Sequence, residues 1–340
     1  MHIVVLCGGL YPERNVSIAT GRQIAAALMD IGHQVLLMDL FFGCSVKPAR
    51  DAFDNNLERV PTVPMGQQPD LTDVQRQRAG NDANLIGDGV FELCRTADIV
   101  FMALHGEDGE NGRLQAAFDL AGIKYTGTDF LGSALAMHKG ISRTLMQAAG
   151  IKVPPGFILR RDELTPQITP PVVIKPASGG SSVATTIVRR ESDILPALNA
   201  VFALDNEALV EQFVSGREFS VGVLGDAVLP VIEICPTAEF FDYEAKYQGH
   251  TTEVCPAEIP AEIAVKMQAH ALAAHNALHL SVYSRTDFIL SDDNEIFYLE
   301  SNTLPGMTPL SLLPQEAQAI GLNFVDLCQK IIDISMEKYI

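Results

Sequence analysis

The stretch VYSRTDFILSDDNEIFYLESN, residues 282–302, constrains this 340-residue chain more than any other. Two apolar runs flank the turn-forming SDDN, which predicts a β-hairpin. With a loop of two or four residues centred on Asp292-Asp293, Asp287 lies opposite Tyr298 and Arg285 opposite Glu300. Side chains alternate across a strand. Arg285, Asp287, Glu300 and Asn302 therefore share one face, and Phe288, Leu290, Phe297 and Leu299 take the other, core face. A three-residue loop would break this register. Two carboxylates and a carboxamide on one face make a hard-oxygen site of the kind Mg²⁺ takes together with phosphate and water. The competing reading is a pair of solvated acids, or acids paired with Arg285. It loses ground because the strands are otherwise strongly apolar, and burying acids without a cation is costly.

Other groups with chemical potential lie at strand ends. VVIKPASGGSSVATTIV puts Lys175 before Gly179-Gly180-Ser181-Ser182 and a further strand. The glycines allow close backbone approach to a phosphate, although an ordinary hairpin turn reads the same way. No GK[ST] precedes a helix, so this is not a Walker loop. Glu211 closes the strand ALVE, and Glu218 follows in GREFSV. Each is compatible with a nucleotide contact or with a plain surface acid. Lys246 and Tyr247 sit in the long polar segment between Cys235 and Cys255, the kind of loop that serves as a lid. Glu13 and Ser17 follow the first strand and His105 the third, where ligands bind in open α/β sheets. Local capping explains Ser17 equally well. CGGLYPE lacks the G-x-G-x-x-G fingerprint of a dinucleotide fold, which removes the main support for an NAD-dependent oxidoreductase.

Along the chain, HIVVLCGG and QVLLMDL read as strands around a helix over 16–31, the start of a parallel sheet. Residues 42–97 read as loops with a short helix, ADIVFMAL as a third strand, HGEDGENG as a loop, and RLQAAFDLAGI as a helix. A single helix is expected over 132–149. Pro154-Pro155-Gly156 reads as a boundary. Beyond it come antiparallel strands, a helix over 261–280, the hairpin, and helix from Leu310. The fold class is α/β and α+β, multidomain: 1–128 parallel α/β, 129–215 a central subdomain, and 216–340 a C-terminal subdomain with a lid at 236–255. The length fits two or three domains. A formal net charge of −18 argues against nucleic acid or an anionic membrane as partner. Six scattered cysteines without CxxC spacing predict reduced thiols in a cytoplasmic protein, and no apolar stretch is long enough to span a membrane.

The segments GGLYPERNVS, ALHGEDGENG, KPASGGSSV, EQFVSGREFSV, FDYEAKY, SRTDF and LESNTLPGMTPLSL, in this order, resemble the D-alanine–D-alanine ligase family of the ATP-grasp ligases. The resemblance runs nearly end to end, weakest over 42–97. It implies ATP between two antiparallel sheets, with Lys139, Lys175 and Lys246 on its phosphates. Glu211 and the backbone of Phe213 and Val214 would meet adenine, and Glu218 the ribose. Asp287, Glu300 and Asn302 would hold two Mg²⁺, with Mn²⁺ as a substitute. Glu13, in a set with Ser181 and Tyr247, would hold the ammonium of the first D-alanine, with Ser17 and His105 near it. Ser311 would hold the carboxylate of the second. Arg285 and the Gly306 N–H would stabilise the tetrahedral oxyanion formed when the second amine attacks the acyl phosphate. The resemblance also implies a homodimer. Gln212 stands where many members carry Lys, and His138 where Asp is usual. Tyr247 favours an amine acceptor over D-lactate. D-serine as second substrate, or a non-catalytic ATP-binding relative, are the alternatives.

Overall fold

A computed structural model describes all residues except 46–48, 65–68, 79–83, 181–182 and 237–250. Its elements run β1 His2–Cys7, α1 Arg14–Asp30, β2 Gln34–Asp39, α2 Leu71–Gln77, α3 Val90–Cys94, β3 Ile99–Met102, α4 Glu107–Glu110, α5 Arg113–Ala121, α6 Phe130–Met137 and α7 Lys139–Ala148. There follow β4 Gly156–Arg160, β5 Val172–Pro176, β6 Thr186–Val188, α8 Ile194–Phe202, β7 Glu207–Gln212, β8 Gly216–Leu224, β9 Ala227–Val228 and β10 Ile232–Pro236. The chain ends with β11 Thr251–Val254, α9 Ala261–Ala277, β12 Tyr283–Ser291, β13 Ile296–Asn302, α10 Leu312–Ala319 and α11 Phe324–Glu337.

The strands make three sheets. The first is parallel, in the order β2-β1-β3. Its central strand is covered on both sides, and Ile3 to Leu6 are wholly inaccessible; this is why HIVVLC is a continuous apolar run and not an alternating one. The same core takes in Leu327, Cys328, Ile331 and Ile332 of α11, so the end of the chain seals its beginning. The second sheet, β4-β7-β5-β6, is antiparallel and packs on α8 through Ala197, Leu198 and Val201. The third follows the path β11-β10-β8-β12-β13, with β9 on β8, and rests on α9 through Met267, Ala271 and Ala274.

Several expectations need correction. The helix expected over 132–149 is two helices. His138 is extended (φ −91°, ψ 98°) and caps α7, its Nδ1 accepting the Ile141 N–H at 3.3 Å. A ring nitrogen thus supplies the acceptor that an Asp would offer at an N-cap. The loop HGEDGENG contains the single turn α4. The boundary after Pro154 is followed at once by β4, an edge strand. The proposed lid ends in β11, paired with β10; its centre, with Lys246 and Tyr247, lies outside the described residues, as does Ser181.

The hairpin holds the most instructive difference. Its loop has three residues, Asp292–Asn294, closed by Ser291 N–H to Glu295 O at 2.9 Å and Asn294 N–H to Ser291 O at 2.9 Å. Asn294 is left-handed, with φ 60°, the residue such a loop requires at that point. The register therefore pairs Leu290 with Ile296 and Phe288 with Tyr298. Phe297 and Leu299 are not on the core face as expected; Ile296 and Tyr298 are buried there instead. A β-bulge between Asp287 and Phe288 then makes Leu299 the extra residue, so Asp287 faces Glu300 and Arg285 faces Asn302. The bulge shifts the register by one more residue and restores the four polar groups to one face. Asn294→Ala is expected to destabilise the protein by about 1 kcal/mol, since only Gly and Asn enter this region at low cost, while Asn294→Gly leaves it unchanged; urea unfolding measures both.

Candidate active site

The two antiparallel sheets face each other across a cleft of about 1050 Å³. Lys175, on β5, reaches Glu211 on β7 at 2.8 Å, and Glu211 also accepts from Arg143 at 3.0 Å. Glu211 is 4% exposed, and the two cations supply the partners a buried carboxylate needs. Arg143 lies one helical turn beyond Lys139 on α7 and its other arm donates to Pro154 O at 2.6 Å. Lys139 donates to Gly179 O at 2.6 Å and lies 3.3 Å from Glu300. One lysine thereby links the glycine loop to the opposite sheet.

Phe213, Val214, Gln212 and Glu218 line the far end of the cleft. The Phe213 N–H is bound to Pro171 O at 3.2 Å, and the Arg189 guanidinium lies 5.3 Å from the Phe213 ring centre. His138 donates to Glu207 at 2.9 Å.

On the hairpin face, Arg285 grips Asp287 with two hydrogen bonds, 2.9 Å to Oδ1 and 2.8 Å to Oδ2. Burial works against the Arg285 charge, but Asp287 beside it holds its pKa above the ordinary value. Ser220 donates to Asp287 Oδ1 at 2.8 Å and Asn302 Nδ2 to Oδ2 at 3.1 Å. Like charges directly opposite on paired strands repel. Asp287 and Glu300 coexist because Arg285 and Lys139 stand beside them. This donor set fits a divalent cation. Turning the Asn302 carboxamide over offers its oxygen and frees one Asp287 lone pair, giving three hard oxygens at adjacent positions.

The first sheet supplies the third wall. Glu13, at the start of α1, lies between two glycine loops. A Cβ on Gly106 would stand 2.2 Å from Glu13 Oε2, and one on Gly180 3.3 Å away. Gly106 also has φ 68°, so only glycine serves there. Ser17 is not at the cleft surface. It is fully buried, accepting from Gly8 N–H at 2.9 Å and donating to Ala103 O at 2.7 Å, which fastens the ends of β1 and β3. His105 is likewise buried. Its Nδ1 meets Leu304 O and its Nε2 the Thr20 hydroxyl, each at 3.0 Å, and burial lowers its pKa. Ser311 precedes α10; its Oγ accepts the Thr308 N–H at 3.1 Å, and a Cβ on Gly306 would stand 2.8 Å from it.

Four polar groups here escaped the sequence: Arg143, Ser220, Glu110 and Glu316. Arg143 alone had a local signal, its i+4 spacing from Lys139. Glu316 is wholly buried and accepts the Gly222 N–H at 2.6 Å; burial pushes its pKa well up.

Lys175 on one sheet and Lys139 on the helix beside it, facing hard oxygen donors on the other sheet, define an ATP-grasp enzyme, built to hold a nucleotide triphosphate with its metal between two antiparallel sheets. Family models described as D-ala D-ala ligase N-terminus and C-terminus match residues 2–128 and 145–333. The chain is 40% identical to the D-alanine–D-alanine ligase of Pediococcus pentosaceus, over 98% of this chain and 97% of that protein. It is 39% identical to that of Nitratidesulfovibrio vulgaris, over 99% and 98%. Among solved structures, the Bacillus anthracis D-alanine–D-alanine ligase complexed with ATP matches with a TM-score of 0.77 at 28% identity, over 99% of this chain and 98% of that one. The VanG D-Ala:D-Ser ligase of Enterococcus faecalis matches at 0.76 and 29%, over 98% and 99%. The chain belongs to the D-alanine–D-alanine ligase family.

Proposed function

We propose that this protein joins two D-alanines to D-alanyl-D-alanine, a peptidoglycan precursor, at the expense of ATP, with ADP and phosphate as the other products. The observation that carries the reading is the cleft itself: Lys139 and Lys175 on one side, Asp287 and Glu300 on the other with Asn302 bound to Asp287, and Glu13 at its end, in a chain of this family.

In this reading a carboxylate oxygen of the first D-alanine attacks the γ-phosphorus, and ADP leaves. Lys139 and Lys175 offset charge on the phosphates, and Glu13 holds the ammonium of that D-alanine. Asp287, Glu300 and Asn302 would hold divalent ions, whose chemistry there would be to neutralise charge on the phosphate oxygens. The amine of the second D-alanine, seated by Ser311, then attacks the acyl carbon, phosphate departs, and one amine proton is lost. Arg285 and the Gly306 N–H face the oxyanion. Ser181, Lys246 and Tyr247 keep the roles the resemblance implies, as do the cytoplasmic setting and the homodimer.

The test is ADP release from ATP and Mg²⁺ with D-alanine alone, with D-alanine plus D-serine, and with D-alanine plus D-lactate, with products identified. D-Alanine alone is expected to support full turnover and yield the dipeptide. Turnover only with added D-serine would move the protein to the D-alanine–D-serine class, and none in any arm would leave a non-catalytic nucleotide binder.

A further inference from the structure

Resting on that reading, we propose that Glu110 is a positioning residue, which with His105 fixes the acyl-transfer end of the site to the sheet that carries Glu13. The geometry is a clamp on one peptide. Glu110 Oε1 accepts the Leu304 N–H at 3.0 Å, while Oε2 accepts the Gly106 N–H at 2.7 Å. On its other side Leu304 O meets His105 Nδ1 at 3.0 Å, and the Thr20 hydroxyl, 3.0 Å from Nε2, fixes the ring. Leu304 lies midway between Asn302, on the metal side, and Gly306, on the oxyanion side. The segment between the two therefore hangs from α1 and the loop after β3, across 199 and 194 residues of chain. Neither side chain lines the cleft, and neither needs to touch substrate.

A carboxylate fits this place better than any neutral group, because two N–H donors converge on it and only an acceptor satisfies both. The titratable and charged groups facing it are Glu13 from the first turn, and Arg285 and Tyr283 from β12. Burial, followed by the Glu13 charge, brings the Glu110 pKa up to about 7. Below that pH one oxygen carries a proton, and one of the two N–H groups loses its acceptor.

The experiment compares wild type with Glu110→Gln, which matches in shape but keeps one acceptor and turns a donor toward an N–H. The kcat for D-alanine-dependent ADP release is expected to fall by about 10- to 100-fold, the scale of a 1 Å misplacement. ATP affinity should stay within about twofold, because the nucleotide end of the cleft is untouched. Dipeptide formed per ADP should drop, as a badly seated acyl phosphate is lost to water. Wild type is expected to show an acid limb of kcat near pH 7, and the variant to lack it. Stability should move the other way. A carboxyl whose folded pKa exceeds its unfolded one contributes stability in full below the unfolded pKa and loses it as pH rises through the folded one. The neutral variant escapes this loss, so its unfolding midpoint at pH 8 should not fall below wild type. An unchanged kcat and pH profile, or a drop in kcat that tracks a loss of folded protein, overturns the clamp. Absence of D-alanine turnover in wild type overturns the ligase reading instead.

Discussion

Replacing Glu300 by Gln is expected to lower D-alanine-dependent turnover by about 10³-fold or more, because a carboxamide keeps the shape but not the charge that holds a metal against phosphate. Glu300 stands directly opposite Asp287, with Lys139 Nζ 3.3 Å away. Its side chain is 25% exposed, so the Lys139 pairing is partly screened and its loss costs folding no more than about 1 kcal/mol. The variant should therefore unfold in urea near the wild-type midpoint while ADP release disappears. Relief of repulsion between the two facing carboxylates acts in the same direction. If the variant turns over at the wild-type rate per folded molecule, Glu300 is a structural acid and the metal assignment falls. Excess Mg²⁺ separates weakened metal binding, which it rescues in part, from loss of transition-state charge, which it does not.

That Glu300 and Asp287 share a face was legible in the sequence; that they stand directly opposite each other was not. Alternation put the four polar residues on one face. Turn length and bulge together moved the true pairing by two positions, which preserves parity at the site but not at Phe297 and Leu299. Period-two patterns carry face information robustly and register information poorly, because polar turn residues such as SDDN fit loops of several lengths. The parallel start was legible for a stronger reason: a strand buried on both faces has to be a continuous apolar run. Glu110 and Ser220 were not legible, because each gains its role from a partner far along the chain, Leu304 for Glu110 and Asp287 for Ser220. Nothing local marks such a residue as more than an ordinary polar one. His138 shows the converse. It stands where the family usually carries Asp, yet the imidazole caps α7 and binds Glu207, with Lys139 still in place behind it.

The buried pair Arg14–Asp39 should give the largest loss of stability. Both residues are nearly inaccessible, at 6% and 5%. Asp39 accepts from the Arg14 guanidinium at both oxygens and from the Phe41 N–H at 2.8 Å. Arg14 also donates to Gly9 O at 2.6 Å and lies 5.0 Å from the Phe42 ring centre. Asp39→Ala strands a guanidinium out of water, which costs about 3–5 kcal/mol. The double change Arg14→Met with Asp39→Leu removes both charges and should recover most of that loss, since apolar replacements of buried pairs are often neutral or better. It should not recover function. Gly8 cannot carry a side chain, as its Cβ would stand 2.4 Å from Asp39, and Gly9 is held to Arg14. The pair therefore sets the path of the turn that delivers Glu13, the next residue before Arg14. With the turn released, the KM for D-alanine should rise by about tenfold or more while ATP affinity is kept. Recovery of both stability and KM in the double variant would make the pair a structural filler. Recovery of stability alone would show that the chain retains a buried ion pair at this point to aim Glu13 into the cleft.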